Sequence, residues 1–263
     1  MNRQNVRDLI VLQKKGIADL KRCLYLLLVM LAVYALAGCN NTMADNEIKM
    51  QSLEIEKADV AEETEMPEEY SPAPVYVSPY ATEMFLEPLD KYSWEREYPC
   101  EYVVLHFTSN VVADRENPLD MTEIRRIFED NEISINYILD RDGNVFCYVP
   151  ESRAAWHAGV GTFADDEKYT NKMNKFSIGI EIAAIGSEKD MAQYLTKEEY
   201  ASLDKSLVGF TDGQYESLKR LVRDVCERNG IPFDREHIIG HDEYNPSKND
   251  PGELFEWNRI FEE

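Results

Sequence analysis

Apolar and polar positions along this chain change period from segment to segment, and the changes mark out elements. Tyr102-Val103-Val104-Leu105-His106 is apolar until its last residue, which predicts a buried strand over 102–106. Residues 122–131 have helical spacing, with Asp120 and Thr122 as candidate caps. Two short β-rich runs, 135–139 and 144–149, flank Asp140-Arg141-Asp142-Gly143 and predict a hairpin closed by the Asp-Gly pair. Residues 176–182 are almost continuously apolar and predict another buried strand. The clearest helix runs over 211–229, where Tyr215, Leu218, Leu221, Val222, Val225 and Cys226 recur every three or four residues on one face. Gly230 stops it and Pro232 follows. Strands alternating with helices predict an α/β domain, a central mixed β-sheet flanked by helices, over residues 96–263.

The N-terminal 95 residues read differently. Residues 1–22 carry six basic side chains, and an apolar run follows over 23–37. That run falls short of the roughly 20 apolar residues of a membrane span and suits a secretory signal. It ends in Leu36-Ala37-Gly38-Cys39, which resembles the lipobox of bacterial lipoproteins. The resemblance implies a signal peptide over 1–38 and a lipid on Cys39. The domain would then lie outside the cytoplasm, in a bacterial envelope, anchored to a membrane. An uncleaved anchor is the alternative, with the same sidedness. Residues 39–95 are acidic and then proline-containing, with Pro72, Pro74, Pro79 and Pro88, and are expected to form an extended tether. Tyr76, Tyr80, Phe85, Tyr92 and Trp94 suggest that its end packs on the domain.

Charge narrows the partners. The chain has 28 Lys+Arg against 50 Asp+Glu, a net of −22. Its first 39 residues hold six basic and two acidic side chains, so without them the net becomes −26. Such a balance excludes nucleic acid, whose phosphates are bound by clustered cations. After Cys39 three cysteines remain, Cys100, Cys147 and Cys226. The odd number gives no clean disulfide framework, though a Cys100–Cys147 bridge is conceivable. A monomer is expected.

Candidate chemistry concentrates in one loop, Gly240-His241-Asp242-Glu243-Tyr244-Asn245-Pro246-Ser247-Lys248-Asn249-Asp250-Pro251-Gly252. With His106 upstream, His241 and Asp250 supply three donors for a zinc ion and leave a fourth position for water. The same residue types also serve turn geometry, and His106 alone would equally suit a core histidine bonded to backbone. Glu181 closes the apolar strand Ile178-Gly179-Ile180, where a carboxylate without a partner is costly to bury. A site-facing Glu there is a candidate general base; a Glu paired with a surface Lys is the alternative.

Five motifs in order carry a family resemblance. They are Val104-Leu105-His106-Phe107-Thr108, Asp140-Arg141-Asp142-Gly143, Ala155-Trp156-His157-Ala158-Gly159, Ser177-Ile178-Gly179-Ile180-Glu181 and the loop above. Together they resemble the zinc-dependent N-acetylmuramoyl-L-alanine amidases, the family of phage amidase-lysozymes and peptidoglycan recognition proteins. The resemblance implies Zn2+ on His106, His241 and Asp250, with Glu181 as base and Lys248 as the cation that stabilises the oxyanion. It places Trp156, His157 and Asn136 along the substrate groove. Two departures stand out. Asn136-Tyr137 replaces the usual His-Tyr or His-Phe; Asn136 can hydrogen-bond but cannot carry a proton. The spacing from His241 to Asp250 is also one residue shorter than in many bacterial relatives. The expected reaction is hydrolysis, by a zinc-activated water, of the amide between N-acetylmuramic acid and L-alanine in peptidoglycan or muropeptides. A non-catalytic peptidoglycan-binding module and a zinc peptidase for another amide are the alternatives. No His-Glu-x-x-His helix is present to favour the latter.

Overall fold

The structure, a computed structural model, describes residues 76–262. The expected signal peptide, Cys39 and most of the expected tether lie outside the described residues. In chain order the elements are β1 (Ala81–Glu83), α1 (Leu89–Tyr92), β2 (Ser93–Glu95), β3 (Tyr102–Thr108), α2 (Met121–Asn131), β4 (Tyr137–Leu139) and β5 (Val145–Cys147). There follow β6 (Arg153–Ala155), α3 (Met173–Phe176), β7 (Ser177–Ala183), α4 (Lys197–Ala201), α5 (Asp212–Asn229), β8 (Ile238–Gly240), α6 (His241–Tyr244) and α7 (Asn258–Phe261). Six strands form a mixed sheet in the order β1-β5-β4-β7-β3-β8, in which only β4 and β5 pair antiparallel. β2 and β6 form a separate antiparallel pair.

Local chemistry explains where the helices start and stop. Asp120 caps α2, its side chain accepting from the backbone N–H groups of Thr122 and Glu123. Thr122 therefore lies inside the helix and is not the cap. Thr211 and Gln214 form a capping box on α5, and Gly230 ends it at φ 69°, a left-handed conformation that favours glycine. The hairpin turn is closed by Asp140, whose Oδ1 accepts from the N–H groups of Asp142 and Asn144, with Gly143 at φ 83°.

The sheet has two faces with different contents. On one, Val103, Leu105, Tyr137, Leu139, Ile178, Ile180 and Ile182 meet the apolar side of α5. Burying one such aliphatic side chain contributes roughly 1.5–3 kcal/mol. The period-two alternation sends their neighbours His106, Ser177, Gly179 and Glu181 to the opposite face. Cys100, Cys147 and Cys226 are all free thiols buried in the α5-side core. The conceivable Cys100–Cys147 bridge is absent, because the Cys147 thiol instead points at the carbonyl of Val149.

Residues 76–95, assigned by composition to the tether but expected from their aromatic residues to pack on the domain, belong to the fold. β1 runs parallel to β5 as an edge strand, and β2 pairs with β6. Arg125 donates to the carbonyls of Met84 and Phe85, and Arg153 donates to Ser93 and Asp90. A buried polar knot fastens the same segment to α5. The Glu151 carboxylate, 2% exposed, accepts from both terminal nitrogens of Arg228 at 2.6 Å and from Asn229 at 2.7 Å, and also from the Tyr137 hydroxyl. Arg228 reaches on to Asp224, which accepts from Ser78, and its guanidinium lies over the Tyr76 ring. Prolines conceal this segment in the sequence: they are compatible with edge strands, while its partners are supplied from far along the chain.

Candidate metal centre

β3 and β7 run parallel with His106 paired to Glu181, so the two side chains stand on one face of adjacent strands. On the other side of β3, Leu105 pairs with Gly240, the last residue of β8. His241 follows at once and opens α6, which brings its ring to the level of His106. Asp250 returns from the loop: its Oδ2 lies 2.8 Å from His106 Nδ1 and 2.9 Å from His241 Nδ1, and those two nitrogens are 3.1 Å apart.

The donor set fits a cation. His241 Nε2 lies 2.8 Å from the carbonyl of Ala158, which can only accept, so that nitrogen carries the proton and Nδ1 presents a lone pair. A carboxylate oxygen and a second imidazole nitrogen converge on the same point. Packed electron pairs at this spacing repel unless a positive charge sits among them, and neutral imidazole with carboxylate is a donor set that suits zinc. Burial and the neighbouring His241 hold His106 down to about 4, so its ring is neutral at physiological pH. Asp250 ionises readily although burial opposes it, because both imidazoles hold its carboxyl well below the usual range.

Glu181 stands beside this cluster without a bond of its own. Its Oε2 is shut off from solvent and has no hydrogen-bond partner. Burial, then the charge of Asp250, pushes its carboxyl well above the ordinary range, while Lys248 pulls the other way. Lys248 is exposed on the loop after α6, and its charge is felt at both Glu181 and His106. The structure thus brings together His106, His241, Asp250 and Glu181, with Lys248 two residues before Asp250 on the same loop.

The three residues expected in the groove divide. Trp156 is half-buried and packs on Trp94, with ring centroids 4.2 Å apart. Asn136 is fully buried; its amide donates to the carbonyls of Val149 and Arg153 and accepts from the N–H of Gly179. It holds strands together and has no group left for a substrate. The ring of His157 is turned inward: Nδ1 lies 3.0 Å from His106 Nε2, and Nε2 lies 3.2 Å from Ser177 Oγ. Gly179 makes the room, since a Cβ there would stand 2.6 Å from His157 Cγ. One residue that the sequence does not point to is Asn174, whose buried side chain accepts from the N–H groups of both His157 and Ala158. It lies in α3, a single helical turn just before β7 that is too short to show a period. Ser177 was within reach, because Ser177, Gly179 and Glu181 share one strand face at period two.

Two imidazoles and a carboxylate beside a glutamate oxygen with no partner, at one end of a mixed sheet, form a candidate metal centre. The chain belongs to the N-acetylmuramoyl-L-alanine amidase family (Amidase_2), whose sequence profile matches residues 96–253. It is 32% identical over 129 residues to the 1,6-anhydro-N-acetylmuramyl-L-alanine amidase AmpD of Enterobacter cloacae, covering 49% of this chain and 55% of that protein. It is 25% identical over 172 residues to the N-acetylmuramoyl-L-alanine amidase AmiD of Escherichia coli, covering 62% of this chain and 53% of that protein. The crystal structure of a selenomethionine AmpD derivative superposes at a TM-score of 0.49 with 22% identity, covering 71% of this chain and 94% of that one. The chain spans about half the length of the curated relatives it matches.

Proposed function

We propose that this chain is a zinc-dependent N-acetylmuramoyl-L-alanine amidase. Its reaction is hydrolysis of the amide that joins N-acetylmuramic acid to L-alanine in peptidoglycan or released muropeptides. The observation that carries the reading is the convergence of His106 Nδ1, His241 Nδ1 and Asp250 Oδ2 beside the partnerless Glu181 Oε2. Family membership and the activities for which the relatives are named support the choice of bond.

Zinc held by the three donors supplies Lewis acidity toward water and the scissile carbonyl. Glu181 Oε2 takes a proton from the attacking water and returns it to the departing amide nitrogen, so the carboxyl ends each cycle as it began. Its raised affinity for a proton suits that exchange. The Lys248 ammonium offsets negative charge on the carbonyl oxygen as water adds. Trp156, braced by Trp94, offers a flat apolar wall to the substrate. The sequence over 23–39 supports an enzyme held by a lipid on Cys39 at a membrane of the bacterial envelope, with its domain outside the cytoplasm.

The deciding experiment incubates the zinc-loaded protein with a defined muropeptide and weighs the products. Release of the intact stem peptide from the sugar supports the amidase. Cleavage inside the peptide makes it a zinc peptidase, and zinc binding without cleavage makes it a binding module. Metabolic labelling with a clickable fatty acid, lost in Cys39→Ala, tests the anchor.

A further inference from the structure

Each metal-facing histidine must present an unprotonated Nδ1, and the two are held to that form by different means. His241 is held directly, through the carbonyl of Ala158. His106 has no carbonyl partner on Nε2; its partner there is another ring, that of His157. An imidazole can donate or accept at either nitrogen, so by itself His157 would leave the proton of His106 undecided. The decision is made further out. Ser177 Oγ lies 2.7 Å from the carbonyl of Met173, which only accepts, so the single hydroxyl proton is committed there. Ser177 Oγ is then free only to accept, and it accepts from Nε2–H of His157. His157 Nδ1 is left with a lone pair and accepts from Nε2–H of His106. His106 Nδ1 is thereby left bare, toward His241 and Asp250.

We propose that His157 is a positioning residue whose hydrogen-bond relay through Ser177 to the Met173 carbonyl fixes the tautomer and ring orientation of His106 for metal binding. The relay rests on the reading of His106 as a metal donor. It also explains a local pattern. Along one face of β7, Ser177 terminates the relay, Gly179 leaves space for the His157 ring, and Glu181 faces the site. Asn174 Oδ1 holds the N–H groups of His157 and Ala158 at 3.1 and 2.8 Å. One short backbone segment therefore supports both histidines, one by a side chain and the other by a carbonyl. Partners of this kind fix the ring of a ligating histidine and raise its basicity, and losing one typically weakens metal affinity by about 10–100-fold.

The test compares the full-length wild type with His157→Ala, His157→Gln and Ser177→Ala. Zinc affinity is read by chelator competition, the His106 tautomer in metal-free protein by 15N NMR, and folding by thermal melting. The expected results are zinc binding about 10–100-fold weaker in His157→Ala, a smaller loss in Ser177→Ala, and recovery in His157→Gln, whose amide can accept from His106 and donate to Ser177. His106 should be protonated on Nε2 in the wild type and lose that preference in His157→Ala. If His157→Ala does not fold, Ser177→Ala carries the same comparison, since it removes only the acceptor that sets the relay's direction. Wild-type affinity and an unchanged His106 tautomer in the variants overturn the relay while leaving the metal reading intact. A wild type that binds no zinc overturns the metal reading and the relay with it.

Discussion

Two glutamates in this fold hold carboxylate oxygens away from water, and they are treated in opposite ways. Glu151 accepts from Arg228 twice, from Asn229 and from Tyr137. Glu181 has a buried oxygen with no partner at all. The first is what burial of a carboxylate normally demands; the second is an exception that suits the proposed role of Glu181 as a base. The same residue type thus fastens the chain at one place and stays available to a proton at another. The donors each meets differ, and so does the depth, since Glu151 is buried and Glu181 only partly so.

The largest effect that could break this comparison is on turnover. Glu181→Ala should lower the rate of stem-peptide release by about 10²–10⁴-fold, the usual contribution of a general acid–base group, with no fall in melting temperature. A variant that melted lower yet turned over normally would make Glu181 a structural residue after all. Glu151→Ala should do the reverse. It removes the acceptor of two Arg228 bonds and leaves that partly buried guanidinium with Asp224 alone, so stability should fall, by less than the about 3–5 kcal/mol typical of breaking a fully buried pair, and urea unfolding would measure the loss. The folded fraction should bind zinc as the wild type does. Chelation sharpens the contrast next: zinc at about 100 times its dissociation constant should add about 2.7 kcal/mol of stability. Calorimetry should find that increment kept in Glu181→Ala, since Glu181 is not a donor, and removed in Asp250→Ala.

The smallest effect is one of pH. Burial pushes the Asp224 carboxyl up, but the hydrogen bonds from Arg228 and Ser78 outweigh it and hold the group below its ordinary 3.8. A carboxylate with a lowered folded pKa adds stability above its unfolded pKa, and that increment fades as the pH falls through the folded value. Denaturation curves from pH 5 downward should therefore be flatter in Asp224→Asn; an unchanged slope would remove Asp224 from the knot.

Where the sequence is legible, local chemistry is the reason. The α5 stripe, its Gly230 stop and the Asp-Gly hairpin each depend on neighbours a few positions away, and the structure has them within a residue or two. His106 and Glu181 also stand out, since each is a polar residue closing an apolar strand, whereas His241 and Asp250 are marked by the residue types gathered in one turn-rich loop. Asn136 illustrates the limit. Its residue type allows either a groove or a core role, and only the surrounding carbonyls of Val149 and Arg153 decide between them. His157 is the same case: its motif marks it as important, but the direction of its ring depends on Ser177 and on the space over Gly179. The segment over 76–95 is legible only in part: its aromatic residues mark packing, but a three-residue edge strand has too few positions to show a period, and the contacts that hold it come from Arg125, Arg153 and Arg228.

The position of β1 also has a mechanical side. A pull on the chain ahead of Tyr76 reaches the sheet through its outermost strand, where three β1–β5 residue pairs and the contacts of Ser78 and Tyr76 with α5 bear the load. β5, β4 and β7 stand between that rim and the strand that carries His106. Tension at the leading end would load this edge strand before it reached the strand of His106.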